Sequence, residues 1–331
     1  MNRNTVDRTT ASPLISVVVP FFNEEPAIEQ FFRQLADALE GIEAEWEIVC
    51  VDDGSRDHTL QYLVAEARAN PRVKVLELSR NFGKESALTA GIEAATGDVL
   101  VLIDADLQDP PSLIGQMLAR WREGYDVVYG VRQSRDHDSL GKRITANGFY
   151  RLFNRLTPTP VPANAGDFRL MDRRVADRLR ELPERTRFMK GLFAWVGFKS
   201  TAIAYHRPGR EAGQSAWSYW KLWNFALDGL TSFSTMPLRV WTYVGLGVSV
   251  LSFLYATFLI FRTLVAGVDL PGYASLMVVI LFLGGIQLIS LGVIGEYLGR
   301  VFIEVKQRPV YLVDRIYHFA PSDPETPDGE S

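Results

Sequence analysis

The sequence predicts an α/β domain built on a mostly parallel sheet, followed by an interfacial helix region and two membrane-crossing helices. Three observations carry this expectation. Strand-like and helix-like patterns alternate from about residue 14 to residue 130, the signature of a sheet wrapped by helices. The apolar run Val99-Leu100-Val101-Leu102-Ile103 stops abruptly at Asp104-Ala105-Asp106, as a buried strand does when it reaches a polar rim. Two long stretches without a charged residue lie in the last third of the chain.

Strands are expected at residues 15–20, 46–51, 73–78, 99–103 and 127–130. Helices are expected between them at 25–40, 59–70, 85–95 and 111–123, where apolar residues recur at three- and four-residue spacing. Asp109-Pro110-Pro111 reads as the cap and first turn of the last of these. The stretch 136–162 is irregular and ends in the proline-rich Thr157-Pro158-Thr159-Pro160-Val161-Pro162, a loop. Further helices are expected at 173–182 and 187–196, and the basic, glycine-bearing segment 207–215 reads as a loop.

Trp217, Tyr219, Trp220, Trp223 and Phe225 crowd one short stretch. Amphipathic rings at this density, just before a long apolar run, suit headgroup depth. Residues 240–261 carry no charge and would span roughly 33 Å as a helix, enough to cross a bilayer. Residues 273–295 are similar, and Gly245, Gly247, Gly284, Gly285, Gly292 and Gly295 would let the two helices approach closely. The connection between them holds Arg262 and Asp269, whereas Lys221, Arg239, Arg300, Lys306, Arg308 and Arg315 lie on the outer flanks. The positive-inside rule therefore places both ends and the large domain on the cytoplasmic side of the inner membrane. The expected organisation is a flexible segment 1–13, a domain at 14–216, an interfacial region at 217–235, two spans within 236–298, and a cytoplasmic segment 299–331 whose acidic, proline-bearing end is disordered.

Composition narrows the function classes. A net charge of −4 over 331 residues gives no global reason to expect a nucleic-acid partner. The single cysteine, Cys50, sits in an apolar run, so no disulfide framework exists. The first dozen residues lack the apolar core of a cleavable signal peptide. His58, His137, His206 and His318 lack zinc-ligand spacing, and no Gly-x-Ser-x-Gly elbow is present. Neither a glycine-rich dinucleotide fingerprint nor a phosphate-cradling Gly-Lys-Ser/Thr loop occurs, and Asn81-Phe82-Gly83-Lys84 is too short to be one.

What remains is an acidic rim. The first strand runs into Asn23-Glu24-Glu25, the second into Asp52-Asp53-Gly54-Ser55 and the fourth into Asp104-Ala105-Asp106. Ligands of open α/β sheets bind outside the carboxyl ends of the strands. Two carboxylates spaced by one residue lie on the same side of an extended chain, where both can approach one divalent cation. The others suit ribose hydroxyls and base N–H donors. Asp52-Asp53-Gly54-Ser55 alone reads equally well as a helix-capping turn.

Together, Val18-Val19-Pro20-Phe21-Phe22-Asn23-Glu24, Val51-Asp52-Asp53-Gly54-Ser55, Asn81-Phe82-Gly83-Lys84 and Asp104-Ala105-Asp106-Leu107-Gln108-Asp109-Pro110-Pro111 resemble a family-2 glycosyltransferase of the GT-A fold. Gly166-Asp167-Phe168-Arg169-Leu170-Met171 and the paired apolar stretches narrow the likeness to the dolichyl-phosphate mannose synthase-like branch, and within it to bacterial polyisoprenyl-phosphate glycosyltransferases. The resemblance covers roughly residues 14–315.

It implies that Pro20, Phe22, Glu24 and Asp53 line a nucleoside pocket, that Asp104 and Ala105 meet the ribose or diphosphate, and that Asp104, Asp106 and Gln108 hold Mg²⁺ or Mn²⁺. Such a cation neutralises charge building on the leaving diphosphate. Arg132, Arg143, Arg207 and Arg210 are candidates for the acceptor phosphate, with Arg132 and Arg210 foremost. Asp167 matches the carboxylate placed near the acceptor, and it would orient a phosphate already ionised at neutral pH. Gly213-Gln214-Ser215 resembles a loop over the site, although Ala216-Trp217-Ser218 departs from the usual Lys-Tyr continuation, which puts that loop's grip on phosphate in doubt.

The implied reaction moves one hexose from a nucleotide sugar, UDP-linked by expectation, to a polyprenyl phosphate such as undecaprenyl phosphate. It proceeds by single displacement with inversion at the cytoplasmic face of the lipid bilayer. Two spans are too few for a polymer channel. Transfer to diacylglycerol or another glycolipid, and a catalytically silent nucleotide-sugar-binding scaffold that recruits a flippase, stay open as alternatives. A homo-oligomer, a tetramer by resemblance, is also expected.

Overall fold

The computed structural model describes Arg8 and residues 12–132, 165–205, 236–266 and 272–319. The chain divides into two compact units. The first holds the sheet with its helices and the described residues after Arg308, and the second holds the described residues from Met236 to Arg308.

In the first unit an eight-stranded sheet has the order β7-β5-β6-β4-β1-β2-β3-β8. Its strands are β1 (Leu14–Phe21), β2 (Glu45–Asp52), β3 (Val73–Leu78), β4 (Val99–Leu102), β5 (Val127–Arg132), β6 (Ala165–Asp172), β7 (Ser200–Tyr205) and β8 (Val313–Tyr317). The pairs β1–β2, β2–β3, β1–β4 and β5–β7 are parallel. Strand β6 runs antiparallel to both β4 and β5, and β8 runs antiparallel to β3. Successive strands β1, β2 and β3 step one way across the sheet, and β4 then crosses to the other side of β1. The crevice outside the carboxyl ends of β1 and β4 is thus a topological switch point, where open α/β sheets bind ligands.

The helices of this unit are α1 (Ile28–Glu40), α2 (Thr59–Ala69), α3 (Lys84–Ala94), α4 (Ile114–Arg122), α5 (Arg173–Glu181) and α6 (Met189–Trp195). In α1 the buried residues Ile28, Phe31, Phe32, Leu35 and Leu39 form one stripe at helical spacing. Phe31 meets Phe21 of β1 edge to face at 5.8 Å. All four residues of β4 and the central five of β1 are buried, so these strands are covered on both faces.

The helices expected at 25–40 and 111–123 differ in their first turns. Both begin as 3-10 turns, Glu25–Ala27 and Pro111–Leu113, with proline at the start. The capping role expected of Asp109 is not what the structure shows. Pro110 occupies the cap position with no side-chain cap bond, and the Asp109 carboxylate turns inward to accept from the Tyr205 hydroxyl. Proline at both following positions leaves the first turn few N–H donors for a cap to serve.

Strands β6, β7 and β8 were not among the expected elements. Arg8, in the segment expected to be flexible, is anchored by Asp126 at 2.7 Å and Asp172 at 2.6 Å, with its guanidinium over Trp121.

The second unit contributes α7 (Met236–Ala266) and α8 (Tyr273–Lys306). Among the described residues, Val278–Lys306 of α8 is long and apolar enough to cross a membrane, with a mean hydropathy of 2.4 and none of that window buried. In α7 the apolar stretch is the shorter Tyr243–Tyr255, with Leu251 and Phe253 exposed. The expected interfacial segment 217–235 and the tail from 320 lie outside the described residues.

Candidate active site

At the end of β1, Pro20 pairs in register with Val51 and Phe21 with Asp52. Asn23 then turns into the left-handed region at φ 55°, a conformation that costs energy for any residue with a Cβ. It is held there from both sides. Its N–H donates to Ser55 Oγ at 3.0 Å, and its side-chain oxygen accepts from Arg56 N at 2.8 Å. The Glu24 N–H donates to Thr59 Oγ1 at 3.0 Å. These bonds stitch the loop after β1 to the loop after β2 and leave the Phe22 ring 43% exposed on the rim.

The bonding within Asp52-Asp53-Gly54-Ser55 is structural: it closes a turn and ties that turn to the next loop. Asp52 accepts from Ser55 N at 3.1 Å, a turn-closing contact. Asp53 accepts from Phe82 N at 2.7 Å and Gly83 N at 2.8 Å, fixing the chain that enters α3. Burial pushes the Asp53 carboxyl upward, against those two N–H donors. Gly54, at φ 67°, allows this approach, because a Cβ there would lie 2.6 Å from the Arg80 carbonyl carbon.

Gly83 (φ 98°) delivers Lys84 as the first residue of α3. The Lys84 ammonium lies 2.7 Å from one oxygen of Asp104 and 2.8 Å from the other, and 2.5 Å from Asp167 Oδ2. Asp104 follows β4 and Asp167 lies on β6. One cation thus joins the end of the Asp104-Ala105-Asp106 motif to the carboxylate implied for the acceptor side. Burial opposes the charge on Lys84, but Asp104 and Asp167 outweigh it and raise its pKa. Burial likewise works against the ionised form of Asp167, yet Lys84 and Lys190 hold it well below the usual carboxylate range. Asp104 goes the other way, raised by burial and by Asp167 despite Lys84. Its neighbour Glu85 is pushed up to about 7, by burial first and by Asp167 second.

The rest of the motif is ordered around this cluster. Ala105 is buried, and Asp106 accepts from Gln108 N at 3.2 Å. Leu107 takes a left-handed φ of 58°. Gln108 is 3% exposed, and its Nε2 has no hydrogen-bond partner among the described residues. Asp167 Oδ1 is likewise buried without a partner. Behind Asp167, the buried Arg169 donates to Gly166 O at 2.8 Å and stacks on the Phe193 ring at 3.6 Å. Arg132 ends β5, in register with Tyr205. Arg143, Arg207, Arg210 and Ser215 lie outside the described residues.

Asp104, Asp106 and Gln108 offer two carboxylates and an amide oxygen, hard donors suited to Mg²⁺ or Mn²⁺. An Asp104 carboxylate already facing a cationic group fits that use. No group of three His, Cys, Asp or Glu residues among those described could hold a metal, so a cation here would draw its remaining ligands from substrate oxygens.

Residues 16–180 match the family model for glycosyl transferase family 2, and residues 236–301 match the GtrB C-terminal hairpin. An uncharacterized glycosyltransferase of Synechocystis sp. is 56% identical over 92% of this chain and 95% of its own length. The chain belongs to glycosyltransferase family 2. The prophage-derived bactoprenol glucosyl transferase of Shigella flexneri is 49% identical over 93% of this chain and 99% of that protein. A prophage bactoprenol glucosyl transferase homolog of Escherichia coli is 48% identical over 91% and 99%. The sheet and its switch-point site are the GT-A fold of this family-2 glycosyltransferase. Lys84, Glu85, Arg169 and the Asp109–Tyr205 pair are parts of the site that sequence reasoning did not single out. The one available signal was a Gly-Lys pair following a strand and opening a helix.

Proposed function

We propose that this family-2 enzyme transfers one hexose, glucose foremost, from a UDP-linked donor to a polyprenyl phosphate at the cytoplasmic face of a membrane. The observation that carries this reading is the pair Asp104 and Asp167 on one Lys84 ammonium. It brings two carboxylates, which this reading assigns to the donor and acceptor sides, to a single point on the carboxyl rim of the sheet. The bactoprenol glucosyl transferases among the relatives support the acceptor class and the sugar, and the exposed apolar face of α8 supports a membrane setting.

In this reading Pro20, Phe22, Glu24 and Asp53 border the nucleoside, with Asp53 acting chiefly by fixing the turn into α3. Asp104, Asp106 and Gln108 hold Mg²⁺ or Mn²⁺, which supplies neutralisation of the leaving diphosphate. Asp167 orients the acceptor phosphate for attack on the anomeric carbon with inversion. Arg132, Arg210 and Ser215 complete the anion-binding side. The domain boundaries, both spans and a homo-oligomer belong to the same proposal.

Purified full-length chain, offered radiolabelled nucleotide sugars with either undecaprenyl phosphate or diacylglycerol, tests it. A mild-acid-labile lipid product formed from UDP-glucose with undecaprenyl phosphate alone is the expected result. Label appearing only in diacylglycerol, or in neither lipid, overturns the proposal.

A further inference from the structure

The Lys84 ammonium stands where a metal ion bound by Asp104 would need to act. Both Asp104 oxygens lie within 2.8 Å of Nζ. A divalent cation on the same carboxylate would meet a like charge at close range, a repulsion that partial burial strengthens. The lysine side chain is 41% exposed, whereas those of Asp104 and Asp167 are 25% and 13% exposed, so of the three groups it has the most open space around it. It also has somewhere to go: Asp167 already holds it at 2.5 Å, and a nucleoside diphosphate would bring negative charge to the same rim.

We infer that Lys84 is an exchangeable counter-cation, which neutralises Asp104 and Asp167 in the donor-free enzyme and yields Asp104 to the metal when the donor diphosphate arrives. This rests on the metal-dependent reading above. Lys84 is then a positioning residue that acts through two carboxylates. It keeps them from repelling each other while the site is empty, and it makes metal binding depend on the donor. A metal ion alone must displace an ammonium group without compensation. A metal ion accompanied by a diphosphate displaces one that gains a new anionic partner.

The test is Mn²⁺ binding to the full-length chain, followed by electron paramagnetic resonance with and without UDP, for wild type, Lys84→Met and Lys84→Arg. In the absence of UDP, Lys84→Met should bind Mn²⁺ about tenfold more tightly than wild type, since the competing charge is gone. The tightening that UDP confers on wild type should shrink in that variant. Lys84→Arg, which keeps the charge, should behave as wild type on both counts. A lysine serving only to hold the fold would give no gain of metal affinity. Unchanged or weaker Mn²⁺ binding in Lys84→Met overturns the inference while leaving the metal reading intact. Absence of Mn²⁺ binding in every protein, with or without UDP, overturns the metal reading and this inference with it.

Discussion

Glu85 shows how one ionisable group reports on its surroundings. Its carboxyl is pushed up to about 7 from 4.5, by burial and by the nearby Asp167 charge. The folded chain therefore holds a proton on Glu85 that the unfolded chain has released between these two values. This contribution to stability falls as pH rises from about 4.5 to 7, and the full penalty stands above 7. Glu85→Gln removes the slope while its amide oxygen still accepts from Met189 N, a bond of 3.2 Å in the native protein. At pH 8 the variant should be more stable by up to about 3 kcal/mol, and near pH 4.5 the two should coincide, as measured by thermal unfolding of the detergent-solubilised chain. At this scale Asp104 and Asp106 stood out as carboxylates at a strand end, whereas Gln108 and Asp167 were named only through the family resemblance. Lys84 and Arg169 were met only as members of the quoted motifs, with no role of their own. A lysine opening a helix is ordinarily solvated, and only the crossing of β6 beside β4 brings Asp167 to it.

The helix α3 owes its position to a glycine. A Cβ on Gly91 would lie 2.2 Å from Val18 Cγ1 of β1 and 3.2 Å from Val51 Cγ2 of β2. Gly91→Ala should push the helix off the sheet and destabilise the protein by ~1–3 kcal/mol in thermal or chemical unfolding. Lys84 rides at the first position of that helix, so the variant should also lose transfer activity at temperatures where it remains folded. The parallel strands and their helices were legible because buried strands and amphipathic helices leave strong periodicities. The missed strands explain themselves. Gly166, Asp167 and Arg169 interrupt the apolar pattern of β6, since that strand carries site residues. Alternation in β7 rests on small residues such as Ala202 and Ala204, and β8 is a short edge strand, largely exposed. The capping expectation for Asp109 failed because its partner, Tyr205, is distant in sequence.

For the molecule as a whole, the sheet places the Asp104-Ala105-Asp106 carboxylates beside the β1/β4 switch point, and the apolar helices belong to a separate unit. The fold class was legible from order alone, because an α/β alternation has few other readings, and the charge-free runs fall within two long apolar helices. That Asp104 and Asp167 meet on one lysine was not legible, since that depends on antiparallel pairing between segments far apart in sequence. The central claim is that Asp104 and Asp167 serve one transfer reaction from opposite sides. The most direct test separates donor binding from transfer in full-length wild type and Asp167→Asn, using UDP-glucose and undecaprenyl phosphate in detergent micelles. The account predicts donor affinity within about threefold of wild type and a transfer rate lower by about 100-fold or more, the scale of loss when a reacting group is misplaced. Transfer within a few fold of wild type, or a loss wholly accounted for by weakened donor binding, would contradict it.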